Sequence, residues 1–112
     1  MNNISFDDFM KIEIRVGTIL TAEINNKLNN PAIVLTIDFG EKIGVKKSSA
    51  QLIANYTCDN LINKQILAVV NFSPRQVGKI ISEVLVLGLP DNSNQPILIS
   101  PDSNIKNGKK LY

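Results

Sequence analysis

The 112-residue sequence predicts an all-β domain with short helices, built around a five-stranded barrel. The first observation is a period-two alternation from Ile12 to Ile24, which is typical of a long strand with one buried face. The second is a series of short apolar runs separated by turn residues, as in barrels and sandwiches. The third is a helix predicted between the third and fourth strands. That order fits the five-stranded OB-fold, a Greek-key barrel.

The N-terminal region predicts a short helix followed by the first strand. Ser5 can cap a helix over Phe6–Met10, and the two aspartates Asp7 and Asp8 suit the positive end of its dipole. Gly17, inside the first strand, predicts a bulge or bend of the kind a small barrel needs in order to close. The side chains expected on the buried face of this strand are Ile12, Ile14, Val16, Thr18, Leu20, Ala22 and Ile24.

The second and third strands are predicted on either side of a glycine turn. A loop from Asn25 to Pro31, rich in asparagine, precedes the second strand. Gly40 opens a tight turn, and the third strand returns over residues 43–48. The alternating side chains expected to be buried in the second strand are Ile33, Leu35, Ile37 and Phe39.

After the third strand, helix-forming residues over 50–56 predict a short helix, and Asp59 can cap a further turn through Leu61 and Ile62. The nearly continuous apolar run over 65–72 predicts a central strand buried on both faces. Residues 73–82 are expected to be a polar connection and residues 83–89 another strand.

A turn at residues 91–94 and a short strand over 97–99 precede a polar tail. The chain length predicts one domain spanning residues 1–112. Within it we expect an N-terminal helical extension at 1–11, the barrel at 12–89 and a C-terminal extension at 90–112.

The composition excludes most catalytic chemistry. The sequence contains no histidine, which removes a histidine general base, a Ser-His-Asp triad and the commonest metal ligand. Its one cysteine, Cys58, cannot form an intrachain disulfide or a structural zinc site, and it fits the role of a small core residue. The glycines Gly40 and Gly44 lack the spacing of a phosphate-binding loop. We therefore predict a binding protein rather than an enzyme, with no cofactor and no metal.

No secretory signal or membrane-spanning run is visible, so we expect a cytoplasmic location without membrane insertion. The net charge of +2 is small, but the charges are unevenly distributed. Residues 40–80 hold six cationic side chains and two carboxylates, whereas the rest of the chain holds six cationic side chains and eight carboxylates. This basic region coincides with the face formed by the second and third strands and with the connection over 73–82 between the fourth and fifth strands, which we call the four–five loop. OB-folds bind oligonucleotides at these two places. An ordinary solvated surface is the alternative.

Three segments, in order and spacing, carry a resemblance to a known family. They are Glu13–Ile19, then Thr36–Glu41 with Lys46–Gln51, then Val70–Gly78 with Ser82–Gly88. Together they resemble the tRNA-binding-domain family, and within it the stand-alone CsaA-type export chaperones. The resemblance extends from about Phe6 to the C-terminus.

The resemblance implies an OB barrel, a homodimer and a cytoplasmic location. It also implies two partners, tRNA and unfolded or export-bound polypeptides, together with contact with the secretion machinery. Two functions are therefore open: chaperone-like polypeptide binding alongside tRNA binding, or a structure-selective tRNA-binding module acting in translation without a chaperone role. The one–two loop, with only Lys27 nearby, favours the polypeptide hypothesis.

The candidate tRNA- or peptide-binding residues lie on the first and third strands and around the four–five loop. They are Arg15, Lys46, Lys47, Ser48, Ser49, Gln51, Asn71, Phe72, Pro74, Arg75, Gln76, Lys79, Ser82 and Glu83. The cationic members would meet phosphates, the polar members could hydrogen-bond bases or a peptide backbone, and Phe72 could stack on an unpaired base.

Several of these residues also have structural alternatives. Phe72 ends a predicted buried strand, so core packing is favoured over a binding role for its ring. Arg15 can pair with Glu13 or Glu83, Ser49 can cap the following helix, and Asn71 can shape a turn. The homodimer is expected from apolar residues in excess of the barrel's needs, which are Phe6, Phe9, Met10, Ile97–Ile99, Leu111 and Tyr112.

Overall fold

A single antiparallel sheet of five strands, in the order β3-β2-β1-β4-β7, curls into a half-barrel. The computed structural model describes residues 1–27 and 29–112, so residue 28 of the predicted loop 25–31 lies outside the described residues. The elements in chain order are α1 (Phe6–Met10), β1 (Ile14–Asn25), β2 (Ala32–Asp38), β3 (Val45–Ala50), α2 (Cys58–Leu61), β4 (Gln65–Val69), β5 (Arg75–Val77), β6 (Ile80–Ser82), β7 (Leu85–Val86), β8 (Gly88–Pro90) and β9 (Pro96–Leu98). The predicted all-β, OB-type fold class is confirmed.

The second strand and the N-terminal helix follow the sequence prediction. Ile33, Leu35, Ile37 and Phe39 are all fully buried, as a period-two pattern over a one-sided sheet requires. The Ser5 side chain accepts a hydrogen bond from the backbone N–H of Asp8 and caps α1, as predicted from the sequence. The third strand, predicted over 43–48, is displaced by two residues because the turn after β2 extends to residue 44.

The predicted buried face of the first strand is wrong in part. Ile19 is fully buried, whereas Leu20 and Ile24 are largely exposed. A bulge lies between Ile19 and Thr21 and reverses which side chains face inward. The bulge therefore lies beyond Gly17. That glycine instead provides room for two core side chains.

The core fills the concave side of the half-barrel. It is formed by aliphatic side chains of β1, β2, β4 and β9, supplemented by residues of α2 and of the connections, among them Phe39. The buried members are Ile19, Ile33, Leu35, Ile37, Phe39, Leu52, Leu61, Ile66, Ala68, Val84 and Leu98. Burial on this scale, at about 25 cal/mol per Å² of apolar surface, is the main stabilising contribution.

The open side of the half-barrel is closed by the segment that precedes β7. The backbone N–H of Glu83 donates to the carbonyl of Lys47 at 2.8 Å, and the Glu83 carboxylate accepts from the N–H of Lys47 at 3.0 Å. The hydroxyl of Ser82 accepts from the N–H of Ser49 at 3.0 Å. These bonds satisfy two N–H groups and one carbonyl of the edge strand β3 that would otherwise face solvent unpaired.

The helix predicted over 50–56 is wrong. The chain forms a turn there, with the N–H of Tyr56 bonded to the carbonyl of Leu52, and helix α2 begins only at Cys58. Thr57, not Asp59, caps α2, in a reciprocal capping box with Asn60. Tyr56 accepts a hydrogen bond from the N–H of a β9 residue, and this long-range contact overrides the local helix propensity.

The second half of the chain contains more, and shorter, strands than predicted. Residues 73–82, expected as a polar connection, include the β5–β6 hairpin with Gly78 at positive φ in its turn. The strand predicted over 65–72 ends at Val69. The strand predicted over 83–89 divides into β7 and β8 because Leu87 bonds both to β4 and to Ile99. The turn predicted over 91–94 is present, with Asn94 at positive φ.

The polar C-terminal tail pairs with the part of β1 that β2 leaves uncovered. The N–H of Val16 donates to the carbonyl of Lys109, and the N–H of Gly108 donates to the carbonyl of Val16. Leu111 bonds to Ile14 in the same way. No helix within residues 1–27 and 29–112 is long and apolar enough to cross a membrane.

Candidate functional site

A groove that we call the apolar groove runs between the end of β3, the β5–β6 hairpin and the β7–β9 region. It has a volume of about 700 Å³. The side chains that give it an apolar surface are Leu52, Phe72, Val84, Leu85, Val86, Pro96 and Leu98. Phe72 and Leu85 are 56% and 49% exposed, so their apolar surface is available to a ligand.

Half of the predicted site residues line this apolar groove. They are Ser48, Ser49, Gln51, Phe72, Arg75, Ser82 and Glu83. Of these, Ser48 is almost fully buried and contributes little surface. The core-packing alternative for Phe72 is wrong, because β4 ends before it and leaves its ring exposed. The helix-capping alternative for Ser49 is also wrong, because no helix follows directly.

The polar end of the apolar groove carries opposite charges. Arg75 is exposed on β5, and no ion pair involves it within the described part of the chain. Glu83 lies 3.9 Å from the Lys46 ammonium and is also bonded to the backbone of β3. A fixed carboxylate near an unpaired guanidinium suits a ligand with both a donor and an acceptor, such as a peptide backbone.

A second groove, which we call the lysine groove, lies on the outward face of β1–β2–β3 beneath the β5–β6 hairpin. It has a volume of about 510 Å³. Lys27, Lys47 and Lys79 line it, and among the described residues Glu23 is the one carboxylate in its lining. Lys27 comes from the loop between β1 and β2, Lys47 from β3, and Lys79 from the β5–β6 hairpin, which occupies the predicted connection between the fourth and fifth strands. These are the three places that OB-folds use for oligonucleotides.

The remaining predicted residues have local structural roles or lie outside both grooves. Asn71 accepts from the N–H of Glu13 and donates to the carbonyl of Lys11, joining β4 to the start of β1. Gln76 donates to the carbonyl of Gly78 in the hairpin turn. Pro74 is exposed just before β5 and lines neither groove.

Arg15 lies away from the other predicted residues. Its guanidinium pairs with the Glu13 carboxylate at 2.6 Å, as one of its structural alternatives predicted, and donates to the carbonyl of Gly108 at 2.9 Å. Lys110 binds the other oxygen of Glu13 at 2.8 Å. The hydrogen bond from Lys110 contributes most, and that from Arg15 next, to holding the pKa of Glu13 below its usual range.

Sequence reasoning missed several residues of both grooves. Lys27 lies in the lysine groove, although the one–two loop looked nearly neutral as a sequence. Leu85 and Pro96 also line the apolar groove, although Leu85 belongs to the strand predicted over 83–89 and Pro96 directly precedes the one predicted over 97–99. No group of three metal-ligating side chains occurs among the residues that the structure describes.

An OB-type half-barrel with a lysine groove on the face of its second and third strands is typical of nucleic-acid-binding domains. A family model described as "Putative tRNA binding domain" matches residues 14–110, so the chain belongs to this tRNA-binding-domain family.

Solved structures of similar size extend the comparison. The crystal structure of chaperone CsaA from Bacillus anthracis is 42% identical in sequence and superposes with a TM-score of 0.91. The match covers 99% of this chain and 100% of that one. The crystal structure of the CsaA chaperone protein from Picrophilus torridus is 47% identical and superposes with a TM-score of 0.90. That match covers 98% of this chain and 100% of the other. The chain is therefore similar to stand-alone CsaA-type domains, as the sequence resemblance predicted.

The curated relatives are longer proteins. The methionine–tRNA ligase of Parabacteroides distasonis is 34% identical over 97% of this chain, and that of Bacteroides fragilis is 28% identical over 97%. This chain spans about 16% of the length of each of these relatives.

Proposed function

We propose that the chain is a binding protein without catalytic activity and that it binds tRNA through the lysine groove. The observation that carries the proposal is that Lys27, Lys47 and Lys79 line one groove, in which Glu23 is the one carboxylate within the part of the chain that the structure describes. Membership of the tRNA-binding-domain family supports the choice of ligand. The methionine–tRNA ligases that contain a similar domain support it further.

The chemistry of the lysine groove suits a phosphate backbone. Lysine ammonium groups bind phosphates as point charges and position a nucleic acid without reading its sequence. Thr21 and Thr36 add hydroxyl groups beside the lysines. We therefore expect recognition by shape and charge, with the sequence of the tRNA contributing little through this groove.

The test compares two double variants with the same change of charge. Lys47→Gln with Lys79→Gln removes two cations from the groove, and Lys11→Gln with Lys64→Gln removes two that line neither groove. In a fluorescence titration with tRNA at about 0.1 M salt, we expect the groove variant to bind at least about tenfold more weakly. We expect the control to bind within about threefold of the wild type. Equal losses in both would mean that net charge, not this groove, governs binding.

A second function, chaperone-like binding of unfolded or export-bound polypeptide, is favoured by the apolar groove. Its exposed Phe72 and Leu85 offer apolar surface, and Arg75 and Glu83 offer a donor and an acceptor to an extended backbone. The similarity to CsaA chaperones supports this proposal. If it holds, clients bound for export would bring the protein to the secretion machinery.

Suppression of aggregation tests the polypeptide function. Wild-type protein should slow the light-scattering increase of a chemically denatured client as it is diluted from denaturant. Phe72→Ser should weaken this effect, whereas Ile53→Ser, which changes an equally apolar and 41% exposed side chain outside the groove, should not. A wild type that leaves aggregation unchanged while binding tRNA would identify a tRNA-binding module without a chaperone role.

We also propose a homodimer in the cytoplasm, where tRNA is available. Phe6 is 71% exposed, Tyr112 is fully exposed, and α1 buries none of its residues, which leaves apolar surface for a partner subunit. Sedimentation equilibrium at micromolar concentration should give twice the chain mass of 12.3 kDa. Phe6→Ser should shift the equilibrium toward the monomer, and a monomeric wild type would refute the dimer.

A further inference from the structure

A third groove, which we call the C-terminal groove, lies between the β2–β3 turn and the C-terminal tail. It has a volume of about 620 Å³ and belongs to neither site described above. Its cationic side chains are Arg15, Lys42, Lys106, Lys109 and Lys110. The only carboxylate that lines it, within the described part of the chain, is that of Glu41.

Two glycines join the tail to the turn at this groove. Gly40 has a φ of +89° and Gly108 a φ of +93°. A Cβ at residue 40 would lie 2.7 Å from the carbonyl oxygen of Asn107, and one at residue 108 would lie 2.5 Å from that of Phe39. The two backbones therefore touch, and Asn107 is further fixed by a hydrogen bond from the Thr18 hydroxyl at 2.8 Å. Backbone contacts between the tail and the β2–β3 turn therefore fix the shape of the groove.

Only some of the five cations are available to a ligand. Arg15 and Lys110 both pair with Glu13, at 2.6 and 2.8 Å, and are mostly buried. Lys42, Lys106 and Lys109 are exposed, and none of them forms an ion pair within residues 1–27 and 29–112. Three exposed ammonium groups around one groove form a local positive field that attracts a polyanion.

The C-terminal groove continues the track of the lysine groove. On the outward face of the sheet, the pair Thr36–Lys47 is followed along the strands by the pair Asp38–Val45, and the turn with Lys42 comes next. Lys42 and Lys47 are five residues apart, at most about 18 Å along the chain. The Asp38 carboxylate between them accepts a hydrogen bond from the N–H of Gly40 at 2.8 Å, so it is turned to the backbone.

We propose that the C-terminal groove is a second contact for the phosphate backbone of RNA, made by Lys42, Lys106 and Lys109. The inference rests on the proposed tRNA binding at the lysine groove and extends its footprint across the β2–β3 turn. The contact is independent of nucleotide sequence, because ammonium groups meet only phosphate oxygens. It assigns to the C-terminal tail a role in ligand binding besides its pairing with β1.

The experiment measures tRNA affinity over a series of salt concentrations for three double variants. Lys106→Gln with Lys109→Gln tests the C-terminal groove, Lys47→Gln with Lys79→Gln tests the lysine groove, and Lys11→Gln with Lys64→Gln is the charge-matched control. The replaced ammonium groups in the C-terminal groove make no hydrogen bonds within the described residues, so the variant should fold normally. Circular dichroism and thermal unfolding check this.

We expect the C-terminal-groove variant to bind roughly tenfold or more weakly at about 0.1 M salt. The slope of log affinity against log salt should fall in magnitude by about one for each lysine removed. The control should change neither quantity by a comparable amount. A normal slope in the C-terminal-groove variant, alongside a loss in the lysine-groove variant, would overturn this inference alone. A wild type that binds no tRNA would overturn the proposed function as well.

Discussion

Gly17 of β1 lies directly against the ring of Phe39. A Cβ atom on residue 17 would be 2.7 Å from Cδ1 of that ring and 2.7 Å from Cγ2 of Ile37. Real carbon atoms do not approach so closely, and the neighbours are rigid core side chains. The close packing of β1 against the core therefore depends on the absence of a side chain at this position.

Replacing Gly17 with alanine should destabilise the fold. Overpacking of a filled core costs about 1–3 kcal/mol, and urea unfolding should show this as a lower midpoint with an unchanged slope. Gly44→Asn is the control, because no heavy atom lies within 4 Å of an added Cβ there and asparagine tolerates positive φ. Equal stability of the Gly17 variant and the wild type would contradict the observed packing.

The hydroxyl of Tyr56 accepts a hydrogen bond from the backbone N–H of Leu98 at 2.9 Å. Tyr56→Phe leaves this buried donor without a partner, which should lower the free energy of unfolding by about 1–2 kcal/mol. Tyr112→Phe makes the same chemical change at a fully exposed ring and should be neutral. Faster amide hydrogen exchange at residue 98 in the first variant only would locate the effect.

Asn71, a candidate binding residue, bonds the backbone at both ends of its side chain, to Lys11 and Glu13. We therefore expect Asn71→Ala to lower stability by about 1 kcal/mol while leaving tRNA affinity within about twofold. Thermal unfolding and a tRNA titration on the same preparation separate the two effects. A large loss of affinity in a stably folded variant would restore Asn71 to the binding site.

Glu13 links stability to pH. Lys110 and then Arg15 hold its pKa below the ordinary glutamate value of about 4.3, so the unfolded chain binds the proton more readily than the folded one. The stabilisation is therefore complete above that ordinary value and is lost as pH falls through the lowered pKa of the folded state.

Urea midpoints at neutral pH and at about pH 3 measure this loss. Glu13→Gln should show a smaller decline than the wild type. Part of the decline should remain, because hydrogen bonds from Gln95, Asn55 and Ser93, in that order, also hold the pKa of Asp91 below its usual range. An identical decline of the urea midpoint in the variant would mean that the ion pairs of Glu13 with Lys110 and Arg15 do not stabilise the fold.

The sequence determined the fold class and the best-patterned elements. In β2 and the residue after it, four alternating apolar residues allow only one register, because a slip by one residue would expose all four side chains. In β1, both Ile19 and Leu20 are apolar, so the pattern alone could not locate the bulge. The position of the bulge is set by the pairing of β1 with β2, which depends on contacts between residues that are distant in the sequence.

The site was predictable where residues are close in sequence to the four–five connection. Arg75, Ser82 and Glu83 line the apolar groove as a consequence of one hairpin and its return. Lys106 and Lys109 could not be assigned from the sequence, because their position depends on a tail that pairs with β1 some 90 residues earlier. The predicted helix over 50–56 was wrong for a similar reason, a contact between Tyr56 and β9.

The central claim is that the lysine groove binds the phosphate backbone of tRNA. The most direct measurement is the affinity of the wild-type protein for tRNA across a series of salt concentrations. Contacts from Lys27, Lys47 and Lys79 alone predict a slope of log affinity against log salt of roughly −2 to −3, and contacts from the C-terminal groove would make the slope steeper. A slope near zero, or no binding at the lowest salt, would contradict the claim.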